Sequence, residues 1–183
     1  MFIVYFMNFI PQKISDLLLI TPDLHADERG VFRRSFCKDE FENNGINFNV
    51  MQGNISENFS KHTLRGFHYQ AFPSNESKII SCITGSLHNI VVDLRKESVT
   101  YKKWTALEIN SIERQSIYVP AGCANAFLTL ENKTIVHYYM NDSYNPNTYK
   151  GIRYNDPVFS FKWPHEPKII SERDLNFSDY IDG

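Results

Sequence analysis

Cysteine is scarce in this 183-residue chain: Cys37, Cys82 and Cys123 are widely spaced, with no CxxC pair among them. That excludes a disulfide framework and predicts reduced, buried thiols in a cytoplasmic protein. A basic excess is also missing, since 19 Lys and Arg face 21 Asp and Glu for a formal net charge of -2. A general nucleic-acid surface is therefore not expected, although a few local arginines can still bind one anionic small molecule. Repeats, low-complexity tracts and linkers are absent. No apolar run reaches the roughly 20 residues that a membrane helix needs. The apolar start, Met1–Ile10, lacks the positive n-region and small-residue cleavage site of a signal peptide. It reads as an N-terminal β-strand, with translation beginning at Met1 or at Met7.

What is present points to sheets. The length fits a single domain, 1–183, with a sizeable core. Aromatics make up 14% of the chain, with 14 Phe and 10 Tyr against 2 Trp, which suits sheet faces and a stacking pocket. Short β-prone runs recur at Leu17–Thr21, Val31–Phe36, Lys78–Thr84, Leu87–Leu94, Trp104–Ile109, Ser116–Val119, Ala126–Leu130 and Thr134–Met140. Turn chemistry separates them, as in Asp27-Glu28-Arg29-Gly30, Pro120-Ala121-Gly122 and Glu131-Asn132-Lys133. Gly85-Ser86 is a hairpin signal that would pair the runs on either side. Lys38–Asn43 is one of few helical turns, with Phe41 facing inward. Many evenly spaced strands with few helices predict an all-β sandwich, jelly roll or barrel.

Thr63-Leu64-Arg65-Gly66-Phe67-His68-Tyr69-Gln70, followed by Lys78, carries the chemistry. An arginine, an imidazole and an amine lie in one short β-rich stretch. Deprotonation next to a ketone needs such a set: an anion clamp, a base near neutral pH and a cation for the enolate. Strict alternation would put His68 on one face with Gly66 and Gln70, opposite Phe67 and Tyr69. Tyr138, in the apolar strand Ile135–Met140, and Asp174, near the end, are further candidates. Each has a plainer reading alone: a half-buried histidine, a surface lysine, a core tyrosine, a solvated acid at a helix start. Lys78 is the hardest to dismiss, because a lysine facing a barrel interior is rare without a partner. Metal binding fails on ligand count: His68-Tyr69-Gln70 supplies one imidazole of a His-x-His pair, and Asn125 stands where a later His would be.

The ordered blocks Asp27–Phe32, Gln52–Ser56, Leu64–Gln70, Val91–Arg95, Tyr144-Asn145-Pro146, Asn155-Asp156-Pro157, Trp163-Pro164 and Ile170–Asp174 resemble the dTDP-4-dehydrorhamnose 3,5-epimerase family of the cupin superfamily. The resemblance covers about Leu17 to Tyr180. It implies a double-stranded β-helix jelly roll without metal or cofactor, working as a homodimer that exchanges N-terminal strands. The implied reaction inverts C3, C5 or both in a nucleoside-diphosphate 4-keto-6-deoxy sugar, for surface polysaccharide synthesis. His68 matches the family's base, Asp174 its carboxylate partner, Lys78 the enolate cation and Tyr138 the acid on the opposite face. Arg65 and Arg173 match diphosphate contacts, a role suited to forked guanidinium donors. Arg29, Phe32, Gln52, Asn54, Asn125 and Tyr144 match other lining positions, with Phe32 stacking on the base from the second subunit.

Two departures bear on the substrate. Arg34 stands where many thymidine-specific members have Glu, and arginine cannot accept a hydrogen bond from a thymine imide. GDP, CDP and UDP sugars therefore stay open. Asn125 replaces the usual His in Ala124-Asn125-Ala126-Phe127, which leaves the number of inverted centres open. Two other readings remain: a cupin that moves the keto group between C3 and C4, and a non-catalytic jelly roll that binds sugar nucleotides.

Overall fold

The computed structural model describes residues 6–181. Its strands are β1 (Met7–Pro11), β2 (Leu18–Pro22), β3 (His25–Asp27), β4 (Gly30–Phe32), β5 (Gln52–Asn58), β6 (Leu64–Gln70) and β7 (Lys78–Thr84). They continue with β8 (Ser86–Asp93), β9 (Trp104–Asn110), β10 (Ser116–Val119), β11 (Cys123–Thr129), β12 (Thr134–Met140) and β13 (Tyr149–Gly151). Two short helices, α1 (Lys38–Asn43) and α2 (Glu172–Leu175), complete the elements. The expected all-β jelly roll is what the chain forms. A six-stranded sheet runs β1-β2-β10-β7-β12-β5, and a five-stranded sheet runs β13-β6-β11-β8-β9. All strand pairs in both are antiparallel.

Alternation along the central strands explains the layering. Ile80 and Cys82 of β7, Ile117 and Val119 of β10 and Val136 of β12 meet Leu87, Val91, Ile109, Cys123 and Phe127 of the other sheet in one core. The outer faces are covered too. Ile90, Val92, Ala124 and Ala126 pack under Phe159 and Phe161 of the C-terminal segment. Ile20 and Ile79 pack under Phe41, Ile46 and Phe48. Phe41 is fully buried from α1, as its sequence position required. With both faces covered, β7 and β11 read as nearly continuous buried runs rather than as alternating ones.

Two expectations change. Gly85-Ser86 is not a hairpin turn: β7 pairs with β10 and β12, whereas β8 pairs with β11 and β9. Gly85 is a corner where the chain passes from one sheet to the other. Its φ of +79° and the Thr134 Oγ1 atom, 2.5 Å from where a Cβ would stand, explain why glycine occupies it. The run Val31–Phe36 yields only β4, which pairs with β3 in a separate two-stranded ribbon. The N-terminal strand expected over Met1–Ile10 appears as β1, paired with β2 of its own chain. Residues 1–5 of that expectation lie outside the described residues.

Candidate active site

A cavity of about 390 Å³ opens between the two sheets. Its lining includes Gln52, Arg65, His68, Glu76, Lys78, Asn125, Tyr138, Tyr144, Tyr149 and Arg173. The two walls come from different sheets. β7 and β12 supply Lys78 and Tyr138, and β6 and β11 supply Arg65, His68 and Asn125.

A bulge places His68 and Arg65 together. β6 pairs with β11 so that Asn125 faces His68 and Phe127 faces Arg65, leaving Gly66 and Phe67 opposite the single residue Ala126. The extra residue resets the alternation, so side chains three apart share a face. Strict alternation, which separates Arg65 from His68, is thus corrected by the bulge. Glycine is required there: φ at Gly66 is +114°, and an added Cβ would lie 2.6 Å from the Asn125 carbonyl oxygen.

His68 Nε2 lies 2.9 Å from Asp174 Oδ1. Asp174 is not the solvated acid its position alone implied: it is 3% exposed, and its Oδ2 accepts the Gly66 N–H at 3.0 Å. Ser171 caps α2 by accepting the Asp174 N–H at 3.1 Å, which fixes the carboxylate under the bulge. Burial pushes the Asp174 carboxyl up, but the bond from His68, its charge, the Gly66 N–H and Ser171 outweigh this and hold it below the usual range. Burial also pulls His68 down; Asp174 opposes the fall, while Lys78 and Arg173 add to it. The imidazole is therefore neutral near pH 7. With its Nε2–H donated to the ionised Asp174, the free lone pair is on Nδ1.

Across the cavity, burial raises the Tyr138 phenol above the ordinary tyrosine value, with Arg65 lowering it and Glu76 raising it. It stays protonated and can act as an acid. Lys78 Nζ contacts Glu76 Oε1 at 2.8 Å, the His68 carbonyl at 3.2 Å and Asn125 Oδ1 at 3.3 Å. Arg65 is braced by Asn58 through Nε at 2.8 Å, and Arg173 lies over the Tyr149 ring at 4.8 Å.

The cavity wall thus brings together His68, Lys78, Tyr138, Arg65, Arg173, Gln52, Asn125 and Tyr144, with Asp174 directly behind His68. Asn54 stands one step back, accepting from Gln52 at 2.9 Å and donating to the Met140 sulfur at 3.4 Å. Arg29 and Phe32 are not part of the lining: they belong to the β3–β4 ribbon, where Arg29 pairs with Asp27 and Phe32 is 60% exposed. Arg34 pairs with Glu40 of α1. Sequence reasoning missed Glu76 and Tyr149. Glu76 left one readable signal, an acid two residues before a lysine expected to be buried. Tyr149 left none. Among the described residues, no three His, Cys, Asp or Glu side chains gather as a metal site. No helix among them is long and apolar enough to cross a membrane.

A family model described as dTDP-4-dehydrorhamnose 3,5-epimerase matches residues 11–181. A dTDP-4-dehydrorhamnose 3,5-epimerase of Shigella flexneri is 32% identical, over 97% of this chain and 98% of its own. A dTDP-4-dehydrorhamnose 3-epimerase of Streptomyces niveus is 30% identical, over 92% of this chain and 81% of its own. Among solved structures, the dTDP-4-dehydrorhamnose 3,5-epimerase of Bacillus anthracis, with TDP and PPi bound, superposes with a TM-score of 0.92. It is 32% identical and covers 95% of this chain and 99% of its own.

Proposed function

The chain belongs to the dTDP-4-dehydrorhamnose 3,5-epimerase family, and from that premise we propose the residue roles and the course of its reaction. It is an isomerase of nucleotide-linked 4-keto-6-deoxy sugars in deoxysugar synthesis, where a role in surface polysaccharide fits. One observation carries the mechanism: a neutral, carboxylate-backed imidazole and a protonated phenol stand on facing sheets of one cavity, with an ammonium on its wall.

The C–H bond beside the ketone breaks, and its proton passes to His68 Nδ1. The released electron pair forms the enolate C=C, and the ketone oxygen gains the negative charge that Lys78 stabilises. Asp174 stays ionised and supports the imidazolium. Tyr138 then donates its proton to the other face, the C=C electrons form the new C–H bond as the oxygen's electron pair re-forms the ketone, and the centre is inverted. Proton return from His68 through solvent restores the phenol. Stabilisation by Lys78 speeds the step because the charge it meets develops only along the reaction.

Arg65 and Arg173 clamp the diphosphate, while Gln52, Asn54, Asn125 and Tyr144 contact the sugar or nucleoside. Arg29 and Phe32 complete the site from a second subunit of a homodimer, reaching across on the β3–β4 ribbon, while β1 stays paired with β2 of its own chain. The whole chain acts as one cupin-type domain in the cytoplasm. A dTDP sugar is the first substrate to test, and screening dTDP, GDP, CDP and UDP by thermal shift checks the nucleoside. Bound ligand at about 100 times its Kd raises stability by about 2.7 kcal/mol.

Proton NMR of turnover in D₂O tests the reaction itself. Deuterium enters C3, C5 or both while the ketone stays at C4, and the stereochemistry of the product at those carbons shows which centres invert. A ketone moved to C3 would replace this reading with a ketoisomerase. No exchange with any of the four nucleotide sugars would leave a binding protein only.

A further inference from the structure

Lys78 occupies a place hostile to a charge, on the inner face of a sheet with 8% of its surface exposed. A buried ammonium persists only where acceptors replace its lost water. Its three N–H donors have three acceptors, but only Glu76 is charged, and that contact is the shortest. Glu76 is itself 7% exposed. Its second oxygen accepts Gln70 Nε2 at 2.7 Å. Gln70 in turn reaches the segment that carries two cavity tyrosines: its Oε1 accepts the Asn145 N–H at 2.7 Å and Thr148 Oγ1 at 3.1 Å, and its Nε2 also donates to the Ser143 carbonyl at 3.1 Å. One carboxylate therefore fixes the ammonium and ties it to the cavity rim at Tyr144 and Tyr149.

We propose that Glu76 is a positioning residue for the epimerisation, holding the Lys78 ammonium aimed so that the ketone oxygen displaces the weak Asn125 contact as it becomes an enolate. The inference rests on Lys78 being the enolate partner. A neutral acceptor at position 76 would leave the ammonium among uncharged groups in a cavity that also holds the cationic Arg65 and Arg173. Glu76 has a second effect in the same direction, because its charge helps to keep the Tyr138 phenol protonated. Glu76 also adds to the rise of the Tyr149 phenol, which burial dominates, whereas His68 and Asp174 behind it take no contribution from position 76.

The test follows deuterium wash-in to a dTDP-linked 4-keto-6-deoxy hexose across pH, using the full chain. Glu76→Gln should lower kcat by about 10- to 100-fold, up to the loss that follows removal of a charge-stabilising donor. KM should change little, and the alkaline limb of the profile should move to lower pH. Glu76→Asp, which keeps the charge, should recover part of the rate. In a Lys78→Met background, Glu76→Gln should cost little further on the pH plateau, where its effect runs through the lysine, and only the shift of the alkaline limb that comes from Tyr138 should remain. An unchanged pH profile with near-wild-type kcat, or an equal loss in the Lys78→Met background, overturns the proposal. So does a Glu76→Gln protein that only melts earlier while its folded fraction, measured by dTDP binding, turns over normally. Wild-type enzyme without any wash-in would instead remove the epimerase reading itself.

Discussion

At the scale of single residues, the site is a set of side chains whose charge states are set against one another. His68 is pulled below the ordinary histidine value chiefly by burial, so the base is lost only as pH falls below that value. The acid limb of kcat/KM should accordingly lie below the free-histidine value of about 6.5. Asp174→Asn removes the group that opposes the fall, so it should shift that limb lower still. It should also cut kcat, since the imidazolium loses its counter-ion. A limb moving upward in Asp174→Asn would contradict the assignment of the pair. His68→Ala should reduce deuterium wash-in, and Tyr138→Phe should reduce inversion of the centre, each by roughly 10²–10⁴-fold, the usual cost of a positioned base or acid. Their affinity for dTDP in calorimetry should stay close to wild type, because neither variant touches the arginines. Much of this set was legible before any coordinates, but only through ordered blocks around His68, Lys78, Tyr138 and Asp174. Residue type alone made Asp174 a solvated acid, and nothing local could show that the Gly66 N–H and His68 would bury it.

At the scale of elements, one local irregularity does more for the site than any regular strand. The bulge in β6 turns Arg65 and His68 onto one face, and Gly66 supplies the left-handed backbone within it. Gly66→Ala adds a methyl 2.6 Å from a backbone oxygen at a φ of +114°. Strain of this kind costs about 1–3 kcal/mol, so the urea midpoint should fall by that equivalent. Turnover should fall further than stability does, since relief of the clash moves His68 away from Asp174. A Gly66→Ala enzyme with normal stability and turnover would show that the bulge is incidental. Runs such as Lys78–Thr84 and Thr134–Met140 were readable because their β-branched and aromatic content fixes them as strands regardless of partners. Their pairing was not readable. Gly85 looks like a hairpin turn because a corner between sheets needs the same left-handed backbone. Only the long-range partners β10, β12 and β11 distinguish the two.

At the scale of the whole molecule, the unresolved pairing is between copies of the chain. The ribbon β3–β4 presents Phe32, 60% exposed and outside the lining of its own cavity. Its proposed place is against the nucleoside in the partner's cavity, which makes each site a composite of His68 from one subunit and Phe32 from the other. A two-fold dimer of this kind permits complementation. His68→Ala alone should be inactive, and Phe32→Ala alone should bind substrate poorly and turn over little at low concentration. In a mixed dimer, one site pairs intact His68 with intact Phe32, and the other collects both defects. Mixing the unfolded variants in equal amounts and refolding gives half of the dimers as hybrids, each with one sound site. Activity should therefore recover to about a quarter of wild type, a fraction set by symmetry alone. If Phe32 serves the cavity of its own subunit, every hybrid has two defective sites and no activity returns. Light scattering on the same samples separates that outcome from a chain that does not dimerise, for which mixing would likewise do nothing but the mass would be that of a single subunit.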